Sequence, residues 1–375
     1  MKTLVIIDGK SVFYRGYYAM GNLSTAEGVP TSGVYGFATI AMEIVKKLKP
    51  NKVVVAWDKA HTSTAKRLAI YPEYKAGRVK PPEDFYAQIP YLKELISALG
   101  WDFLEADEYE ADDIIGTLAR QADEKHDYMT YIVSSDLDML QIVDENTKMY
   151  RLLKGFSNIE EMDIQAIEEK YGILKSQFLD LKALKGDNSD NIPGVPGIGP
   201  KTATQLLQEF FTLEGIYENL ENIKPAWRKK LEDGKDLAFM SKKIAEIFLD
   251  APVELNFEDA DIHNFNYEEV LKMLRKLEFN SLVRKIPKEM KTSSEDFETK
   301  NGNQIRLFEE VLKPSEINIL PEISAEKFFK KPQDLVFFDF DTKKSKILVS
   351  NFENITEFNF MEFSKFADFF KNTKT

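Results

Sequence analysis

The two stretches Tyr109-Glu110-Ala111-Asp112-Asp113-Ile114-Ile115-Gly116 and Ser134-Ser135-Asp136-Leu137-Asp138 set five carboxylates in two tight groups, each beside apolar sequence. Like charges gathered in a poorly solvated place repel by several kcal/mol unless cations neutralise them. Hard divalent ions, which prefer oxygen ligands, are the simplest neutraliser. The plainer alternatives are acids favoured in a helix's first turn and an ordinary strand-to-loop turn at Asp136 and Asp138.

The surrounding pattern decides between them. Leu4 to Ile7 and Val53 to Trp57 are short apolar runs that end in acids, Asp8 and Asp58. Met129 to Val133 repeats the pattern, with Asp136 and Asp138 directly after it. Between these strands, Gly33 to Leu48, Tyr91 to Leu99 and the stretch from Ile114 have helical periodicity, and Asp102 to Leu104 reads as a further short strand. Alternation of this kind implies an α/β fold with a mostly parallel central sheet flanked by helices. Sites in such sheets form at the carboxyl ends of strands, where Asp8, Asp58, Asp136 and Asp138 fall. Turn preference explains one strand-end aspartate; it does not explain three strands ending alike.

Composition narrows the chemistry. There are no cysteines, which excludes disulfides, thiolate metal sites and thiol nucleophiles, and three histidines disfavour a zinc site or a serine–histidine relay. No apolar run is long enough for a membrane span and no leader is evident, so the chain reads as cytoplasmic, with no membrane partner. The net charge of −12 is a poor guide to partners, because metal-binding carboxylates count as negative only until cations bind.

His61 to Pro90 reads as a polar, basic, mobile excursion, and Ser11 to Ala19 as a loop or short helix. Past Leu152 the chain turns helix-rich. There Gly194-Val195-Pro196-Gly197-Ile198-Gly199-Pro200-Lys201-Thr202 makes a tight turn opening an apolar helix, which suits a phosphate oxygen at bare backbone N–H groups. Asp187 and Asp190 precede it, placed to reach back to the acidic groups. Lys291 to Leu307 lacks periodicity and reads as a linker; beyond it, Leu335 to Asp341 and Lys346 to Val349 read as a strand pair opening a second α/β unit that the chain is expected not to complete.

Taken together, Asp8-Gly9 with Tyr14-Arg15, Trp57-Asp58, Arg67 with Tyr71 to Lys75 and Arg78, Glu110 to Asp113, Ser135 to Asp138, and Gly186 to Lys201 resemble the 5′-nuclease domains of the bacterial DNA polymerase I family, within the flap endonucleases. The resemblance covers about residues 1–290. It implies a PIN-like sheet over 1–180 with a helical arch at about 67–90, a helical DNA-binding region over 181–290 with a helix–hairpin-type motif, a linker at 291–314, and the start of a 3′-5′ exonuclease-type domain over 315–375. In that last part Asp341-Thr342-Lys343 sets a cation where proofreading needs a carboxylate, so this unit is expected to be inactive.

The resemblance further implies that Asp8, Asp58, Glu110, Asp112, Asp113, Asp136, Asp138, Asp187 and Asp190 hold two Mg²⁺ (or Mn²⁺), some through water. It implies that Lys75 and Arg78 meet the scissile phosphate, and that Tyr14 stacks on a base. Nucleic acid is also expected at Arg15, Arg67, Gly194, Gly197, Gly199, Lys201 and Thr202, in some members with K⁺ at the turn. The expected substrates are DNA with 5′ flaps, nicks or gaps and RNA-primed ends, cut by a monomer. An aspartyl-nucleophile phosphatase, a shorter toxin-type ribonuclease and an inactive duplex-binding module are the alternatives; none of them uses both the acids and the turn.

Overall fold

The computed structural model describes residues 1–125, 127–153, 158–256 and 266–286, together with the strands at 318–319, 337–341, 346–350 and 354–359. The linker expected at 291–314 lies outside the described residues, as do Thr342 and Lys343.

The chain divides into two units, Met1–Thr292 and Ser293–Thr375. The first is built on a six-stranded sheet: β1 (Lys2–Asp8), β2 (Lys52–Ala56), β3 (Asp102–Leu104), β4 (Tyr128–Ser134), β5 (Thr147–Leu152) and β6 (Ile159–Met162), in the order β3-β2-β1-β4-β5-β6. All neighbours are parallel except β5 and β6. The register pairs Asp8 with Ala56 and Ile7 with Val133, so the acid-bearing ends of β1, β2 and β4 finish level. The order reverses at β1, between β2 and β4. That opens the crevice in which such sheets place ligands.

Alternate residues of β1 serve two cores. Val5 and Ile7 face α1 (Gly9–Ala19) and α2 (Ser32–Leu48), while Leu4 and Ile6 belong to the core reaching into the helical half. The stretch read as a loop or short helix is α1, begun where the Asp8 carboxylate accepts from Ser11 N–H at 3.0 Å. It packs on α2 through facing glycines: a Cβ on Gly36 would lie 2.1 Å from Gly16 Cα.

The excursion at 61–90 is anchored rather than loose. It contains α3 (Ala65–Ile70) and α4 (Glu83–Ala87), and Arg67, Tyr74 and Phe85 are buried at 3%, 5% and 0% exposure. Next come α5 (Ile89–Ala98) and α6 (Ala111–Glu124). The polar face of α6 binds backbone: Asp113 accepts from Phe248 N–H, Thr117 from Ala251 N–H and Gln121 from Leu255 N–H, at 2.9, 3.0 and 2.8 Å. Three side chains at four-residue spacing thus tie the far end of the helical half to the sheet half.

That half comprises α7 (Ile164–Tyr171), α8 (Phe178–Lys185), α9 (Pro200–Phe210), α10 (Leu213–Glu218), α11 (Pro225–Asp233) and α12 (Lys235–Ala245). Two later helices, α13 (Tyr267–Lys276) and α14 (Asn280–Val283), return to the first core, where Leu274 and Leu282 are buried. The second unit has β7 (Asn318–Ile319), β8 (Phe337–Asp341), β9 (Lys346–Ser350) and β10 (Asn354–Asn359) in the order β7-β10-β9-β8, with β8–β9 and β9–β10 antiparallel. No helix among the described residues is long and apolar enough to cross a membrane.

Candidate metal centre

A cleft of about 1210 Å³ opens over the level strand ends, lined by Asp8, Asp58, Glu110, Asp112, Asp136, Asp138 and Asp187. At its floor, carboxylate oxygens of Asp112, Asp136 and Asp138 all lie within 4.8 Å of one another. Local hydrogen bonds aim the neighbouring groups. Ser134 Oγ donates to Asp8 at 2.6 Å and accepts from Asp136 N–H at 3.0 Å; Asp136 in turn accepts from Asp138 N–H at 3.0 Å.

Charge is distributed unevenly. Among the described residues no lysine or arginine pairs with Asp8, Asp112 or Asp136. Burial first, then Asp136 and Asp58, push the Asp8 carboxyl up to about 6, against the hydrogen bonds from Ser134 and Ser11. Burial and the charges of Asp136 and Asp8 hold Asp112 well above the usual carboxylate range. Asp138 is pushed up to about 6 by burial and Asp136, even though Lys182 bonds it.

Toward the flanks each acid has a resident cation. Asp58 meets Lys10 at 3.0 Å and accepts from Ala111 N–H at 2.8 Å; burial raises it, but Lys10, Lys75 and that N–H prevail and hold it at about 2. Asp187 likewise lies at about 2, where the bonds from Ser189 and Lys182, 3.0 Å away, outweigh burial. Glu110 takes Lys75 and, at 2.8 Å, the Tyr74 hydroxyl. Asp190, 6% exposed, takes Arg78. Lys75 sits in the left-handed region at φ 57, its N–H held by Asp190 carbonyl oxygen at 2.9 Å. A backbone strained at this position aims both cations into the cleft.

Two assignments change. Arg67 bonds Asp113 twice, at 2.7 and 2.8 Å, and the carbonyls of Ile244 and Glu246 at 2.9 and 2.8 Å. It is 3% exposed with its donors engaged inside the protein, so it does not face nucleic acid. Asp113, 0% exposed, also accepts from Glu110 N–H at 2.9 Å and lies outside the cleft lining. Adjacent residues of a helix point about 100° apart; Asp112 faces the cleft and Asp113 the helical half. Both Arg67 and Asp113 therefore hold the frame.

Other members of the nucleic-acid set also divide. Tyr14, Lys75, Arg78 and Lys201 line the cleft. Arg15 braces it from below, donating to Ser135 Oγ at 2.9 Å and to Leu152 carbonyl oxygen at 2.7 Å. Gly194 is a packing position: its N–H goes to Ser241 Oγ at 3.0 Å, its φ is +60, and a Cβ would lie 2.3 Å from Gly186 N. Gly199 differs, with nothing within 4 Å of where a Cβ would stand, immediately before the N-terminus of α9. Gly197 and Lys201 are exposed and Thr202 half-buried beside it.

Sequence reasoning missed Lys10, Tyr74, Ser134 and Lys182. Lys182 had a signal: a lysine on the apolar helix Phe178 to Leu184, five residues before Asp187, is placed to be a counter-ion. It is 3% exposed.

Residues 3–172 match the 5′-3′ exonuclease N-terminal resolvase-like domain, and residues 173–268 the 5′-3′ exonuclease C-terminal SAM fold. The chain belongs to the 5′-3′ exonuclease family. It is 39% identical over 296 residues to DNA polymerase I of Bacillus subtilis, covering 79% of this chain and 33% of that protein. With DNA polymerase I of Caldicellulosiruptor bescii it shares 40% over 285 residues, 76% of this chain and 33% of the relative. The chain thus spans about a third of the length of these relatives. Among solved structures, a bacteriophage T5 flap endonuclease complex with DNA and metal ions matches at TM-score 0.56 and 22% identity, over 66% of this chain and 89% of that one. Flap endonuclease-1 from Methanococcus jannaschii matches at 0.50 and 17%, over 77% and 93%. At these identities the likeness is one of fold.

Proposed function

We propose that the chain is a structure-specific 5′-3′ exonuclease and flap endonuclease, the 5′-nuclease portion of a DNA polymerase I. It would hydrolyse phosphodiesters with the help of two Mg²⁺ or Mn²⁺ ions. The observation carrying this reading is the floor of the cleft: three carboxylates within 4.8 Å, without enough resident cations, beneath Lys75 and Arg78.

The donor set fits hard divalent ions, being all oxygen and short of positive charge. Asp8, Asp112, Asp136 and Asp138 would hold them directly, and Asp58, Glu110, Asp187 and Asp190 through water or by giving up a lysine or arginine. Bound there, such ions would acidify water and offset charge on the leaving oxygen. Lys75 and Arg78 would exchange Glu110 and Asp190 for the substrate's phosphate and offset charge growing on it. Tyr14 would stack on a base beside the cut. The backbone ahead of α9, with Lys201, would hold a duplex phosphate. A potassium ion at that turn would compete with Lys230, whose Nζ donates to Gly197 carbonyl oxygen at 3.0 Å. These are contacts to phosphate and shape, so selection would be for flaps, nicks, gaps and RNA-primed ends rather than for base sequence. We extend the reading to the second unit as the start of a 3′-5′ exonuclease-type domain, unable to proofread because Lys343 follows Asp341.

The test is a 5′-labelled flap duplex incubated with Mg²⁺ or EDTA, using the native chain and Asp136→Ala. A short 5′ fragment released only with Mg²⁺ and only by the native chain is the expected result. Binding without cutting in Mg²⁺ and in Mn²⁺ would leave a duplex-binding module instead.

A further inference from the structure

An aromatic surface leads out of the cleft from Tyr14. One turn on along α1, Tyr18 lies 5.9 Å from Tyr14, ring centre to ring centre, with the planes 33° apart. From α4, Phe85 packs under Tyr14 at 4.6 Å and against Tyr17 at 5.3 Å, and carries Tyr86 at 5.4 Å. The hydroxyls of Tyr86 and Tyr18 are near enough to add to the effect of burial in raising the Tyr14 hydroxyl.

Fastening α4 to α1 accounts for only part of this cluster. Phe85 is completely buried, and the Tyr17 hydroxyl donates to Asp84 at 2.8 Å; those two contacts join the helices. Tyr18 and Tyr86 add little to the join, yet they remain 63% and 48% exposed. Large rings left in water beside a cleft that holds Tyr14, Lys75 and Arg78 suit a partner that is flat, aromatic and tethered to phosphates.

We propose that Tyr18 and Tyr86 extend the Tyr14 ring into a stacking track for the unpaired bases of the substrate's 5′ strand. The proposal rests on the nuclease reading and deepens it. Stacking accepts any base, so the track would grip a single-stranded arm without reading its sequence. Glu83 and Asp84 lie in the first turn of α4.

The experiment measures binding by anisotropy, with Ca²⁺ replacing Mg²⁺ to prevent cutting. The probes are two duplexes that differ only in the 5′ arm, one of thymidines and one of abasic sites. For the native chain the thymidine arm binds more tightly. In Tyr18→Ala/Tyr86→Ala the ratio of the two affinities falls about tenfold. Tyr18→Phe/Tyr86→Phe keeps the native ratio, which separates loss of stacking from a disturbed fold. An unchanged ratio in the alanine variant, or no preference in the native chain, overturns the track and leaves the nuclease intact. If the native chain neither binds nor cuts a flap duplex, the underlying nuclease reading fails with it.

Discussion

The acids at the cleft floor and those on its flanks are the same chemical groups under opposite conditions. Asp58, Glu110, Asp187 and Asp190 each sit against a lysine or arginine the fold supplies, as does Asp113 behind the cleft. Among the described residues Asp8, Asp112 and Asp136 have none, and Lys182 at Asp138 does not offset its burial beside Asp136. A carboxylate already matched to a cation gains little from a second one, whereas a crowded, unmatched set gains most. The difference separates a floor open to cations from outside from flanks that must share or release a resident cation before they can serve an ion.

The largest effect should come from the floor. Asp136→Ala is expected to lower cleavage by more than the roughly 10–100-fold typical of residues behind a metal's ligands. Calorimetric titration of Mg²⁺ should show a site lost; intact Mg²⁺ binding would dissolve the distinction. The frame comes next. Arg67→Met strands the buried Asp113 charge and should cost about 3–5 kcal/mol in urea unfolding. Arg67→Met/Asp113→Leu removes the stranded charge but should recover only part of the loss, because the N–H groups of Glu110 and Phe248 lose their acceptor. A variant of normal stability but weak DNA affinity would return Arg67 to the nucleic-acid interface.

Acidity provides a finer cut. Asp8 and Asp138 keep their protons to about 6 in the fold, against an ordinary 3.8. Folded protein then binds more protons than unfolded, so without metal its stability falls as pH rises from about 4 to about 6, on the order of 2 kcal/mol per group. Asp58 and Asp187, held at about 2, act the other way: their contribution is present above about 4 and is lost as pH falls toward 2. Urea midpoints in EDTA should decline between pH 4 and 6, and Mg²⁺ should flatten the decline. The same decline with Mg²⁺ would mean that the ions do not sit on these groups. The smallest effect belongs to the turn. Lys201→Ala should reduce the salt dependence of duplex binding by about one counterion while leaving its structural preference alone.

Local rules reach the floor directly. A short apolar run with an acid at or just past its end marks a strand end, and strand ends gather at one edge, so Asp8, Asp136 and Asp138 of the floor could be placed together, with Asp58 beside them. The flanks obey long-range partners instead. Nothing within a few residues of Arg67 announces that its fork will close on Asp113 and on carbonyls at 244 and 246. Nor does a Glu-Ala-Asp-Asp run say which of its last two acids turns inward, although helix geometry requires them to diverge. β5 and β6 went unread because Lys148, Arg151, Glu160 and Glu161 interrupt their apolar residues without the strict alternation that marks a strand.

The bonds from Arg67 to residues 244 and 246 also bear on how the molecule is made. The frame behind the acids closes only when the chain has been synthesised past α12, about 110 residues after Asp136. At ribosomal speeds of about 5–20 residues per second, that is an interval of several seconds. Through it, the nascent chain lacks the carbonyls of Ile244 and Glu246 that hold Arg67 on Asp113 and, for the first half, the loop that carries Asp190. A polypeptide able to cut nucleic acid would thus emerge beside messenger RNA with its centre unassembled, and become competent only once both halves are in place.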